Sequence, residues 1–85
     1  MAQVTLRYWA AAKAAAGVAE ETIAAETLAG ALAGALARPR DRQFGVVLAR
    51  SSFLIDGLPV GSRAPDTVVL ADGAVIEVLP PFAGG

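Results

Sequence analysis

Neither cysteine nor histidine occurs anywhere in the 85 residues. Disulfide stapling and thiol chemistry are excluded, and the common soft metal ligands are missing. The acidic residues are scattered, so no carboxylate metal site and no permanently bound cofactor are expected. Net charge is equally sparse: seven Lys and Arg against eight Asp and Glu give a formal charge of -1. The large positive field that usually drives nucleic-acid binding is absent, and no nucleic-acid partner is expected. Long apolar runs are lacking too. The longest falls far short of a membrane span, and no basic segment leads into an apolar one at the N-terminus. The expectation is a cytoplasmic domain with no membrane partner.

What is present is a small, alanine-rich, apolar chain. Hydrophobic residues make up 55% of it, and the length suits one domain with a modest core. Aromatics are few, and the single Trp and single Tyr are adjacent, at Tyr8 and Trp9. Residues 3–9 (QVTLRYW) alternate as a strand, with Val4, Leu6 and Tyr8 on one face and Thr5, Arg7 and Trp9 on the other. The run AAAKAAA that follows is a helix former, closed by Gly17 as a C-cap. Residues 20–24 (EETIA) predict a second strand, returned beside the first around Gly17.

Thr27 is a natural N-cap. Leu28, Leu32, Ala35 and Leu36 then recur at helical spacing, and Pro39 should stop that helix at about Arg38. Arg38, Arg40 and Arg42, offset by Asp41, read as a solvated loop, with contact to a partner as the alternative. Residues 44–49 (FGVVLA) fit a short helix or a strand equally. Residues 53–56 (FLID), a turn at Asp56-Gly57, a return through Leu58 to Val60, and a second turn at Asp72-Gly73 precede a last strand, residues 75–79 (VIEVL). Strand, helix, strand, longer helix and several short strands imply an α+β domain over residues 1–79, a mixed sheet with its main helix packed across one face. That order suits a β-grasp, the ubiquitin-like fold.

Residues 80–85 (PPFAGG) form the tail. Two prolines cannot continue a ladder, and they project the chain stiffly; Ala83, Gly84 and Gly85 then make a flexible end. A Gly-Gly end can thread a narrow channel because no Cβ blocks it. Its free carboxylate is inert until a partner using ATP converts it to an acyl adenylate, after which sulfur can replace an oxygen to give a thiocarboxylate. With no cysteine, the chain could carry reactive sulfur nowhere else without a cofactor. Chain ends are also commonly small and functionless, so an idle tail stands as the plain alternative. In the last strand Glu77 marks the solvent face, which it shares with Val75 and Leu79. Trp9 and Leu79 would form an exposed apolar patch at the root of the tail if their strands are neighbours. Trp9 tucked under the following helix is the other placement.

Residues 4–17 (VTLRYWAAAKAAAG), 53–57 (FLIDG) and 71–85 (ADGAVIEVLPPFAGG) resemble the family of small sulfur carriers that includes the molybdopterin synthase small subunits and the thiamine sulfur carrier. The ending PPFAGG is similar to the PP-x-x-GG ending of the molybdopterin branch. The resemblance implies a β-grasp whose terminal glycine is adenylated by an E1-like enzyme and thiocarboxylated. It implies insertion of the tail into a large synthase subunit, in a heterotetramer, and sulfur donation to cyclic pyranopterin monophosphate. Gly85 would carry the sulfur with Gly84 as its slim neighbour, while Trp9, Leu79, Pro80, Pro81, Phe82 and Ala83 would contact partners. The chain alone would have no activity. Ala74 stands where the family often has an acidic residue, and residues 61–67 (GSRAPDT) are longer than the matching loop of compact members. The rival readings are a carrier for thiamine, cysteine or another thio-cofactor, and a ubiquitin-like modifier of other proteins.

Overall fold

The computed structural model describes residues 1–81. Strand β1 (Ala2–Tyr8) leads into helix α1 (Ala10–Ala16), strand β2 (Glu20–Ala25) and helix α2 (Leu28–Leu36). Helix α3 (Gln43–Arg50), strands β3 (Ser52–Ile55) and β4 (Leu58–Pro59), a 3-10 turn at Pro65–Thr67 and strand β5 (Val75–Leu79) complete it. The five strands form one sheet in the order β2-β1-β5-β3-β4. Its two central strands, β1 and β5, are parallel, and every other pairing is antiparallel.

The alternation of β1 sets the core. Val4, Leu6 and Tyr8 are buried with Ile76 and Val78 of β5 on the helix-covered face. Leu28, Ala31 and Ala35 of α2 and Phe44 and Leu48 of α3 close over them. The Tyr8 and Phe44 rings meet edge to face, centroids 5.5 Å apart at 85°, an arrangement favoured by the ring quadrupoles. A Cβ on Gly34 would approach Ile23 Cγ2 to 3.1 Å, so glycine there lets α2 lie close on β2.

Local signals account for the element ends. Thr27 Oγ1 accepts from Gly30 N at 3.1 Å, the N-cap expected of it. Gly17 takes the left-handed conformation, φ 80°, and its N–H donates to Lys13 O at 3.0 Å. Asp56 and Gly57 both have positive φ, which matches the right-handed twist of the β3–β4 hairpin. Helix α2 ends at Leu36, two residues before the expected stop, through a tightened last turn in which Arg38 N donates to Ala35 O.

Residues 44–49 resolve as helix. Asp41 starts it, its Oδ1 accepting from Gln43 N at 2.8 Å and its carbonyl from Phe44 N at 3.0 Å. Phe44 and Leu48, four apart, share the buried face. Residues 68–70, apolar in sequence, pair only through an isolated bridge between Val69 and Thr27. Leu28 N donates to Val68 O and Leu70 N to Glu26 O, both at 2.9 Å, which straps this segment to the start of α2. The longer loop at residues 61–67 is held by Arg63, whose Nε donates to Val60 O at 3.0 Å and Nη2 to Pro59 O at 3.3 Å.

The arginine run corrects its expected placement in solvent. Arg40 is folded inward with its side chain only 9% exposed, and its Nη2 donates to Glu21 Oε1 at 2.9 Å. Its guanidinium carbon lies 4.5 Å from the centre of the Phe44 ring. The ring face compensates electrostatically for Nε and Nη1, which are buried without hydrogen-bond partners. Arg38 Nη1 reaches the same Glu21 oxygen at 2.8 Å, and the Tyr8 hydroxyl donates to Glu21 Oε2. The run anchors the α2–α3 connection because Glu21 sits on the inner face of β2, beside the end of Tyr8.

Burial alone would raise the Glu21 carboxyl, but hydrogen bonds from Arg40, Tyr8 and Arg38 outweigh it and hold the pKa below the ordinary value of 4.5. Burial, then the adjacent Glu21, raise the Tyr8 phenol above its ordinary 10.0. The signs give opposite limits. Glu21 stabilises the fold above the ordinary glutamate range, and that contribution is lost as pH falls through its depressed native pKa. The Tyr8 contribution is complete below pH 10.0 and is lost as pH rises beyond it. Glu21→Gln should therefore cost about 1–2 kcal/mol at neutral pH and flatten the acid limb of a melting-temperature profile. An unchanged acid limb would show that Glu21 does not set it.

Candidate functional site

The parallel register places Tyr8 beside Val78, so Trp9 and Leu79 emerge together where β1 and β5 end. Trp9 N continues the ladder, donating to Val78 O at 3.3 Å. Its carbonyl then accepts from Ala12 N and Lys13 N, opening α1 with no intervening loop. Ala10 bears the strain of this corner at φ 48°, a left-handed conformation costing an alanine about 1–2 kcal/mol. Trp9 is thus held at a fixed corner instead of under α1, and it is 46% exposed.

A second tether fixes the indole. Trp9 Nε1 donates to Glu77 Oε1 at 3.2 Å, and Glu77 lies opposite Arg7 and Leu54 in the sheet. Arg7 pairs in turn with Glu20 at 3.3 Å, both well exposed, which contributes little to stability. The sequence marks Glu77 only as a solvent-side residue; its role as the indole's partner depends on the parallel β1–β5 register, which no local pattern reports.

Leu79 is half-buried and faces Ser52 of β3. Half-buried Val75 and Leu54 extend the apolar surface along the same side of the sheet, opposite the helices. Leu54 is the member of this apolar surface that sequence reading missed. Phe53, Leu54 and Ile55 are all half-buried, so apolarity alone does not tell the outward residue from its neighbours. Beyond Leu79 the strand stops. Pro80 is buried and Pro81 exposed. Phe82, Ala83, Gly84 and Gly85, the remaining tail positions singled out from sequence, lie outside the described residues.

Around the root of the tail stand an indole, aliphatic side chains and a carboxylate engaged with the indole. Among the described residues no group of three acidic, His or Cys side chains could hold a metal ion. No helix among them is long and apolar enough to cross a membrane.

Comparison of the architecture with solved structures identifies the fold. The small archaeal modifier protein 1 from Methanosarcina acetivorans superimposes with a TM-score of 0.76 at 20% identity, covering 100% of this chain and 98% of that one. The fold is a β-grasp. A Pyrococcus furiosus protein designated molybdopterin converting factor, subunit 1, gives a TM-score of 0.77 at 22% identity over 96% of this chain and 100% of its own. The complex of subunits 1 and 2 of the molybdopterin-converting factor from Helicobacter pylori contributes a chain with a TM-score of 0.71 at 23% identity, covering 98% of this chain and 99% of that one. No protein-family profile and no curated protein matches the sequence. At these identities the likeness is one of fold, over essentially the full length of each partner in the comparison.

Proposed function

We propose that this β-grasp chain is a sulfur carrier, the small subunit of a molybdopterin synthase, working in the cytoplasm with Gly85 as its reactive terminus. The observation that carries the reading is that the sequence PPFAGG follows directly on central strand β5, which ends at the exposed corner made by Trp9 and Leu79. Two of the similar structures bear the name of molybdopterin-converting factor, one of them in complex with a second subunit. That supports a heteromeric assembly in which the large subunit receives the tail.

The proposed sequence begins with an E1-like enzyme. The Gly85 carboxylate attacks the α-phosphorus of ATP, releasing pyrophosphate and forming the acyl adenylate. A persulfide on a donor cysteine displaces AMP to give an acyl disulfide; a second thiol of the donor system then attacks the donor-side sulfur, forming a disulfide with it and releasing the thiocarboxylate. This chain supplies the slim terminus and the docking corner; catalysis belongs to its partners. Sulfur then passes to cyclic pyranopterin monophosphate inside the large subunit.

Incubation with an activating enzyme, ATP and a sulfur donor should raise the intact mass by about 16 Da, one oxygen replaced by sulfur at an activated carbonyl. Fragmentation should confine the change to Gly85. An unchanged mass with an activating enzyme encoded beside this chain, and active on ATP, would refute the reading. The likeness to an archaeal modifier protein supports a second one, in which Gly85 is joined to lysines of other proteins. Isopeptide-linked products in cell extracts, with no thiocarboxylate, would favour it.

A further inference from the structure

The two edges of the sheet are protected differently. Strand β4 has only two residues, one of them Pro59, and offers little to pair with. Strand β2 is six residues long and forms the other edge. Tyr8 N donates to Ala19 O at 2.8 Å, which sets the phase of the β1–β2 ladder. Residues 19, 21, 23 and 25 then direct their backbone groups at β1, and Glu20, Thr22 and Ala24 direct theirs away from the sheet. An open row of this kind is a template for another strand.

One side chain lies across it. Arg38, half-exposed, spans the edge with two arms: Nη1 donates to Glu21 Oε1 and Nη2 to Thr22 O, both at 2.8 Å. Thr22 O is the central acceptor of the three outward residues. An incoming strand would have to displace the guanidinium before it could form the middle of a ladder.

The best-fitting incoming strand is β2 itself. Antiparallel pairing about Thr22 sets Thr22 against Thr22, Glu20 against Ala24 and Glu21 against Ile23. No two like charges face each other, although the strand carries two glutamates. The outward groups of Glu20, Thr22 and Ala24 also meet their counterparts in phase. We infer that β2 is a self-association edge for a second copy of this chain, and that Arg38 is the guard that keeps it closed.

Sedimentation velocity over a concentration series tests this with the full chain. Wild type should remain monomeric where Arg38→Ala forms a dimer, with association at least about tenfold tighter, the change expected when one blocked hydrogen-bonded position is released. Arg40 still pairs with Glu21 in that variant, so the fold should persist, and Arg38→Gln repeats the test with a polar side chain in place. Amide exchange in the dimer should newly protect Glu20, Thr22 and Ala24. Thr22→Pro in the Arg38→Ala background removes an N–H that points away from β1, and should restore the monomer. The inference is overturned if both Arg38 variants stay as monomeric as wild type, if wild type associates equally tightly, or if association survives Thr22→Pro.

Discussion

Deletion of Gly85 is expected to abolish sulfur transfer while leaving the fold untouched. The reactive atom would be drawn back by about 3.5 Å, one residue of extended chain. Displacements near 1 Å already cost about a hundredfold in rate when reacting groups must align. Adenylation of the new terminus at Gly84 would not rescue transfer, since in the proposed assembly the acceptor would be matched to the reach of a full-length tail. A one-residue extension should fail for the complementary reason: the carboxylate would overshoot, and an added side chain would not follow where glycine passes. Both variants should keep the wild-type melting temperature, since among the described residues the hydrophobic core ends at Val78, well before Gly85. A reconstituted assay with a small-molecule acceptor decides the matter. Normal transfer by the Gly85 deletion would show that the terminal atom is not the carrier.

The sequence signals that proved dependable were those whose cause is local. Thr27 caps α2, Gly17 closes α1, and Asp56-Gly57 turns the β3–β4 hairpin because each needs only its own backbone neighbours. The alternation of β1 likewise needs nothing beyond the period of a strand, and it placed Val4, Leu6 and Tyr8 in the core. Residues 44–49 were ambiguous for a physical reason. A short apolar run satisfies both periods, and what decided it was the Asp41 turn before Phe44 and the packing of Phe44 against Tyr8.

Non-local electrostatics were illegible. Nothing around Arg40 announces that it turns inward, because its partner Glu21 and the Tyr8 hydroxyl lie in strands nearly twenty or more residues earlier in the chain. A basic run broken by proline looks solvated until the carboxylate that recruits it is known. The same limit applies at the tail root. Alternation in β1 and β5 could propose that Trp9 and Leu79 share an outward face, yet the bond from Trp9 to Glu77 and the addition of Leu54 depend on strand order. The residues that would carry the chemistry present the reverse case: Gly84 and Gly85 stand out in the sequence, where two glycines follow a proline step.

Trp9→Lys and Leu79→Lys should each weaken binding to the activating enzyme or the large subunit by more than about 2 kcal/mol, the loss typical of an interface hot spot. The geometry argues for a preformed contact: the indole is fixed by Glu77 and by the strand-to-helix corner, so little side-chain freedom remains to be lost on docking. Stability should change less, by about 1 kcal/mol or under, because both side chains already meet solvent in the free chain. Trp9→Phe separates the ring from its hydrogen bond and should retain most of the affinity if apolar area is what the partner reads. The double variant should cost less than the sum of the two, since neighbours within one contact are not independent. Val69→Lys is the matched control. Val69 is 80% exposed and lies beside Thr27, at the end of the sheet where β1 begins, so its substitution should leave partner binding unchanged. Equal losses from Val69→Lys and Trp9→Lys would mean that general surface hydrophobicity drives association. A large drop in melting temperature with unaltered affinity would mean that Trp9 and Leu79 serve the fold, and the docking corner would have to be sought elsewhere on the sheet.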